Sequence, residues 1–273
     1  MIRRLATAAG LLTLVAVMVA AALFAQRASA TPAFLPKVVG NFLVDQDHNL
    51  AFSQNKQNEP AITRDPLTGV LIAGANDEIG NNLCSGTTTP LTSPCPFTPG
   101  APTSAFYRST NGGQSWTGGY LPGFDTIGRV SGGDPSLDYG PRLCANGTFS
   151  FACGVTIYYA SLADPFPEFG GEQVTVSRSY DDGQTWNNPV AATSTDNKSN
   201  FDDHEWVAVD HFTGSPHFGR VYLDWAVFCN KCSGNGNVKI YVAFSDDEGR
   251  TWSPAVQVSA ANNNIPQGFR ETG

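Results

Sequence analysis

The sequence predicts an all-β protein, an incomplete β-propeller of about three four-stranded blades. Three observations predict it. An eight-residue pattern occurs three times, as Ser109-Thr-Asn-Gly-Gly-Gln-Ser-Trp116, Ser179-Tyr-Asp-Asp-Gly-Gln-Thr-Trp186 and Ser245-Asp-Asp-Glu-Gly-Arg-Thr-Trp252, with starts 70 and 66 residues apart. Self-similarity at such a period marks an array of like structural units. Around each copy lie four short β-favouring runs, separated by Gly, Pro, Asn and Asp clusters. Helical periodicity is almost absent outside the N-terminal leader. Four-stranded sheets repeated about an axis are propeller blades.

The elements follow in chain order. Residues 1–30 read as a signal peptide: Arg3 and Arg4 open it, Leu11 to Ala25 form an apolar run, and Ala28-Ser29-Ala30 offers a small-residue cleavage site. A run of 15 residues is short for a bilayer span, which needs about 20, so export without a lasting membrane span is expected. Residues 31–57 are a leader or a ring-closing strand. The blades are expected at 58–121, 133–193 and 203–259, with the start of a fourth at 260–273. Propellers close with about four to eight blades, so the missing ones are expected from a longer chain or from association.

Within each unit the strands begin at Pro60-Ala-Ile-Thr63, Pro135-Ser-Leu-Asp138 and Trp206-Val-Ala-Val-Asp210. Next come Val70–Gly74, Val155–Tyr159 and Arg220–Trp225, and then Ala105–Arg108, Val174–Ser177 and Lys239–Phe244. The repeated pattern follows as a turn into the fourth strand. Gly113, Gly183 and Gly249 suit positive φ. Asn111, Asp181 and Asp247 suit Asx-type acceptance of backbone N–H groups. Ser109, Ser179 and Ser245 can satisfy further backbone groups, and Trp116, Trp186 and Trp252 are expected beneath their hairpins. Asp246-Asp247-Glu248 reads as solvated turn charge.

Composition narrows the partners. The formal charge of −8 becomes −11 once residues 1–30, with Arg3, Arg4 and Arg27 and no acid, are removed. Scattered basic residues on so acidic a chain disfavour nucleic acid. Six cysteines remain, in three local pairs expected to close within loops: Cys84 with Cys95, Cys144 with Cys153, and Cys229 with Cys232. Fifteen connectivities are formally open.

These repeats resemble the Asp boxes, or bacterial neuraminidase repeats, of the sialidase superfamily. The resemblance spans residues 58–259. It implies a propeller whose boxes are structural turns without catalytic residues. It also implies a sugar carboxylate held by arginines, the first of them in an Arg-Ile-Pro motif. That motif is absent; the nearest text, Phe34-Leu-Pro36, has no arginine. No catalytic residue is therefore carried over.

Strand alternation puts the functional face opposite the repeated turns. This mouth collects Glu59 and its flank, Asn76-Asp77-Glu78, Asp125 to Asp134, Asp164 to Glu172, and Asp202-Asp203-His204-Glu205. The candidate binding face is Asp77, Glu78, Asp134, Asp202, Asp203, His204 and Glu205. The last four could work as acid or base or offer oxygens to calcium; equally, they could be the polar lead-in to a strand starting at Trp206. Nothing in the pattern supports a calcium or other metal site, and no cofactor is expected. The sequence reads as an exported module binding glycan or another extracellular polymer. The alternative is a sialidase-type glycoside hydrolase whose catalytic blades lie outside this chain.

Overall fold

A computed structural model describes residues 42–44, 56–80, 102–165, 171–193, 200–229 and 238–259, all within one compact unit, Phe42–Gly273. Residues 1–30, expected as a signal peptide, most of residues 31–57, Cys84, Cys95, Cys232 and residues 260–273 lie outside the described residues. Among the described residues twelve strands form three four-stranded sheets. The first is β1 (Gln57–Arg64), β2 (Leu71–Asp77), β3 (Ser104–Ser109) and β4 (Thr117–Tyr120). The second is β5 (Arg129–Leu143), β6 (Phe149–Pro165), β7 (Gln173–Ser179) and β8 (Val190–Ala191). The third is β9 (Asn200–Val209), β10 (Val221–Cys229), β11 (Val238–Ser245) and β12 (Val256–Gln257). Each sheet pairs its strands antiparallel in chain order. The first strands are neighbours from sheet to sheet, β5 lying against both β1 and β9. A 3-10 turn, Phe124–Ile127, lies between the first two sheets. Among the described residues no helix is long and apolar enough to cross a membrane.

The core lies between the sheets. Strand β6 makes this plain, because successive side chains point to opposite faces. Ile157 and Tyr159 join Ile72, Leu137 and Trp186 between the first and second sheets. Tyr158, Ala160 and Leu162 join Val207, Leu223 and Trp225 between the second and third. Burial on both faces explains why β6 shows no alternation of apolar and polar residues. Gly74 leaves room for this packing: a Cβ there would sit 2.7 Å from the Tyr159 ring, whose hydroxyl donates to the Ala105 carbonyl at 2.8 Å.

The three repeated turns are near copies of one another. Ser179 Oγ accepts from Gly183 N at 2.8 Å and donates to Asp181 Oδ1 at 2.8 Å. Ser245 does the same with Gly249 N and Asp247 Oδ1, both at 2.7 Å, and Ser109 with Gly113 N and Asn111 Oδ1, both at 2.9 Å. The glycines have φ of 87°, 76° and 72° in chain order, a region costly for other residues. Two expectations about these turns change. Trp186 reaches beyond its own hairpin: it meets Phe106 of the preceding sheet, ring centroids 5.6 Å apart, as well as Tyr159 of its own sheet at 5.8 Å. Glu248 is not solvated but fully buried. Its carboxylate accepts from Leu143 N, Thr156 Oγ1 and Arg250 Nη2, so it ties the third turn to the second sheet.

Arginines add a second tie between sheets. Arg108 Nε donates to the Asp182 carbonyl at 2.7 Å, and Arg178 Nη1 to the Glu248 carbonyl at 3.3 Å. Both acceptors belong to residues with positive φ in the next sheet's turn, 58° and 62°. Of the cysteine pairs, Cys144–Cys153 is formed, with Cα atoms 5.7 Å apart, and staples the β5–β6 hairpin. Cys229 ends β10.

Candidate functional site

The inner strands are bent at one equivalent place each. The β1 ladder shifts register between Asn58 and Ala61, the β5 ladder between Gly133 and Ser136, and the β9 ladder opposite Asp224–Ala226, at Asp203–Trp206. Each bulge holds one non-glycine residue with positive φ: Glu59 at 53°, Asp134 at 54° and His204 at 54°. Such backbone is costly and concentrates at functional sites. Pro60 and Pro135 follow in the first two, where the lost ladder bond leaves no N–H to satisfy. In the third, Glu205 takes proline's place. The sequence carries this signal in two units, as Asn58-Glu-Pro-Ala61 and Gly133-Asp-Pro-Ser136, but not in the third, where His204-Glu205 replaces the acid and the proline.

The bulges bring carboxyl groups from three sheets together. Asn76, at the end of β2, donates to Glu59 Oε2 at 3.0 Å and Asp134 Oδ1 at 3.1 Å, and accepts from Asp134 N at 2.6 Å. Gly133 is obligatory beside it, because φ is 92° and a Cβ would fall 2.3 Å from Asn76 Oδ1. Hydrogen bonding to Asp134, then burial and the Asp134 charge, push the Glu59 carboxyl up to about 7. Burial, with help from Asp203, raises Asp134. Glu205 is 4% exposed, and neither carboxylate oxygen has a hydrogen-bond partner beyond its own backbone N–H. Burial foremost, then Asp134, Asp203 and Glu59, lift it well above the usual carboxylate range.

Glu59, Asp134 and Glu205 line an open cleft of about 990 Å³, with Ile62, Trp206, Trp225, Phe228 and Ile240 among its walls. Trp206 is 64% exposed. Asp224 also faces the cleft, and burial raises its carboxyl. His204 lies at the rim, its Nε2 3.7 Å from Asp203 Oδ2.

The acidic run on β9 is therefore part of a strand, not a lead-in to one beginning at Trp206. Before Trp206 the strand buries Asp202 and Glu205 where apolar residues would be expected, so the residue pattern alone does not reveal it there. The strand also divides the run. Asp202 lines a second groove of about 630 Å³ with Trp225, Tyr241 and Trp252, and burial plus Glu172 push it up to about 7. Asp164 is likewise pushed up to about 7, by burial and then Glu172 and Asp134. Asp77 and Glu78 stand apart from both groups. Asp77 accepts from Tyr107 Oη at 2.7 Å and Ile79 N at 3.1 Å, and Glu78 pairs with Lys56 Nζ at 2.7 Å. Among the described residues no three His, Cys, Asp or Glu side chains are grouped to hold a metal ion.

No protein-family model matches the sequence, and no curated protein matches it. Solved structures do. An α-L-arabinanase of Penicillium chrysogenum complexed with arabinobiose is 16% identical, with a TM-score of 0.51 over 77% of this chain and 51% of that one. An α-L-arabinofuranosidase of Fusarium graminearum, also with arabinobiose, is 14% identical, with a TM-score of 0.50 over 81% of this chain and 53% of that one. The fold is an incomplete β-propeller. A Hadza microbial sialidase is 16% identical, with a TM-score of 0.45 over 73% of this chain and 37% of that one. The propeller that the sequence resemblance implies is the fold that the two arabinobiose-complexed structures support. The chain spans about half the length of the two arabinan-directed structures.

Proposed function

We propose that this chain is part of an exported, carbohydrate-directed propeller that binds sugar at the mouth built by its three inner-strand bulges. One observation carries the reading: Glu59, Asp134 and Glu205 converge from three sheets on one cleft walled by Trp206 and Trp225. Exposed tryptophan offers a flat surface to the apolar face of a sugar ring, and carboxyl oxygens pair with its hydroxyls. Two carbohydrate-complexed propellers of similar fold support the assignment. The leader sequence and the Cys144–Cys153 disulfide support an oxidising compartment outside the cytosol. The repeated turns, in this reading, are Asp boxes with a structural role only.

The test is a glycan array followed by calorimetry. Binding to a defined saccharide should weaken about tenfold or more in Trp206→Ala, a loss typical of an aromatic anchor. Binding that Trp206→Ala leaves unchanged would refute the location.

A second reading, glycoside hydrolysis, is favoured by the Glu59 carboxyl lying near 7, where a group can both give and take a proton. Turnover of a fluorogenic glycoside panel that vanishes in Glu59→Gln would support it. Turnover surviving that change would remove Glu59 from the chemistry.

A further inference from the structure

We infer that the mouth selects uncharged glycans against acidic ones, so that its ligand is a neutral sugar and not a sialic or uronic acid; this deepens the carbohydrate reading and depends on it. The argument starts from what the cleft offers. Its described lining holds the acids Glu59, Asp134, Glu205 and Asp224, together with His204, and no lysine or arginine. Asp203 adds a further carboxyl beside Asp134 and Glu205. Arg129, on the inner strand β5, spends Nη1 on the carbonyls of Ala163 and Gly171, at 2.9 Å each.

The decisive group is Glu205. It is buried, its oxygens lack any partner beyond its own backbone N–H, and it lines the cleft. A buried polar group left unpaired is costly, and a ligand that supplies its missing partners recovers that cost. Sugar hydroxyls are such partners, since each can donate to a carboxylate or accept from a carboxylic acid. A ligand carboxylate can only accept. Against ionised acids it meets like charge in a partly desolvated place, where repulsion is stronger than in water.

Calorimetry on the full chain compares neutral arabino- and chito-oligosaccharides with sialyllactose and oligogalacturonate. At about pH 8, above the value of about 7 to which Glu59 is pushed, the acidic sugars should bind at least about tenfold more weakly than the neutral ones. At about pH 5 the gap should narrow, because Glu59, pushed up to about 7, takes up a proton there. Glu59→Gln should narrow the gap at the higher pH; Asp134→Asn repeats the test independently, with circular dichroism confirming that each variant is folded. Acidic sugars binding as tightly as neutral ones would overturn the selectivity and leave the carbohydrate reading standing. A folded chain that binds neither set would overturn both.

Discussion

The two ends of the blades treat the same chemistry in opposite ways. At the turn end Asp181 and Asp247 are surrounded by donors. Asp181 accepts from Ser179 Oγ, Thr185 N and Thr185 Oγ1, and Asp247 from Ser245 Oγ, Arg250 N, Thr251 N and Thr251 Oγ1. Partial burial works against ionisation there, but these donors outweigh it and hold both carboxyls below their ordinary value. At the mouth the carboxyls lie buried beside one another, and Glu59, Asp134 and Glu205 are pushed up. Both ends contain positive-φ residues, Asp182 and Glu248 at one and Glu59, Asp134 and His204 at the other. At the turns an arginine of the preceding sheet caps the strained carbonyl. The contrast separates a repeat that stabilises the array from one whose unmet hydrogen bonding is left for a ligand.

The largest expected effect breaks the turn end. Trp186 is 9% exposed between the first and second sheets, and Trp186→Ala should cost about 3–5 kcal/mol in denaturant-induced unfolding. Trp116 occupies the same turn position but is half-buried, against a smaller cluster with Ala73, Ala105 and Tyr107. Its replacement should cost less. Equal costs would show that the turns stabilise their own hairpins and that contact between sheets contributes little.

How legible each end was follows from this contrast. The turn repeats itself in residue identity because its geometry needs a Gly, a Ser and an Asx oxygen at fixed offsets, so the fold could be read from Ser109, Ser179 and Ser245 onward. The mouth repeats itself in backbone shape while its residues differ: Glu59, Asp134 and His204 share a conformation but no side chain. Asp202 and Glu205 interrupt the apolar pattern that would have revealed β9. The conversion of Glu248 from a surface charge to a buried tie was also hidden, since its partners Leu143 and Thr156 are about a hundred residues away in sequence.

A smaller effect, opposite in sign at the two ends, is read by pH. For an acid whose folded value is raised, ionisation favours the unfolded chain. The mouth should therefore destabilise progressively as pH rises from the ordinary value of 4.5 for Glu59 through about 7. For Asp181 and Asp247, lowered in the fold, stability is present above the ordinary value of 3.8 and is lost as pH falls through the lowered one. Melting temperature should decline on both sides of the ordinary carboxylate range. Glu59→Gln should flatten the upper limb and leave the acid limb alone. An unchanged upper limb would mean that Glu59 is solvated, against the geometry of its bond to Asn76.

The smallest effect compares one turn with its sisters. In the first turn Asn111 stands where the others have aspartate. Its Oδ1 accepts from Ser109 Oγ at 2.9 Å and Ser115 N at 3.0 Å, as the aspartates do, but its amide donates to Ser115 Oγ at 2.8 Å. In the second turn that bond runs the other way, from Thr185 Oγ1 into Asp181 Oδ2 at 2.7 Å. In Asn111→Asp the Ser115 hydroxyl can rotate to donate, so every bond survives and three of them gain a charged acceptor. Charge-assisted bonds are stronger than neutral ones, but this turn is exposed, so the gain should be about 0.5 kcal/mol. The gain should disappear on acidification below the ordinary aspartate range, because the benefit requires the ionised carboxylate. A variant no more stable than the parent at neutral pH would show that the neutral amide already meets all that this turn requires.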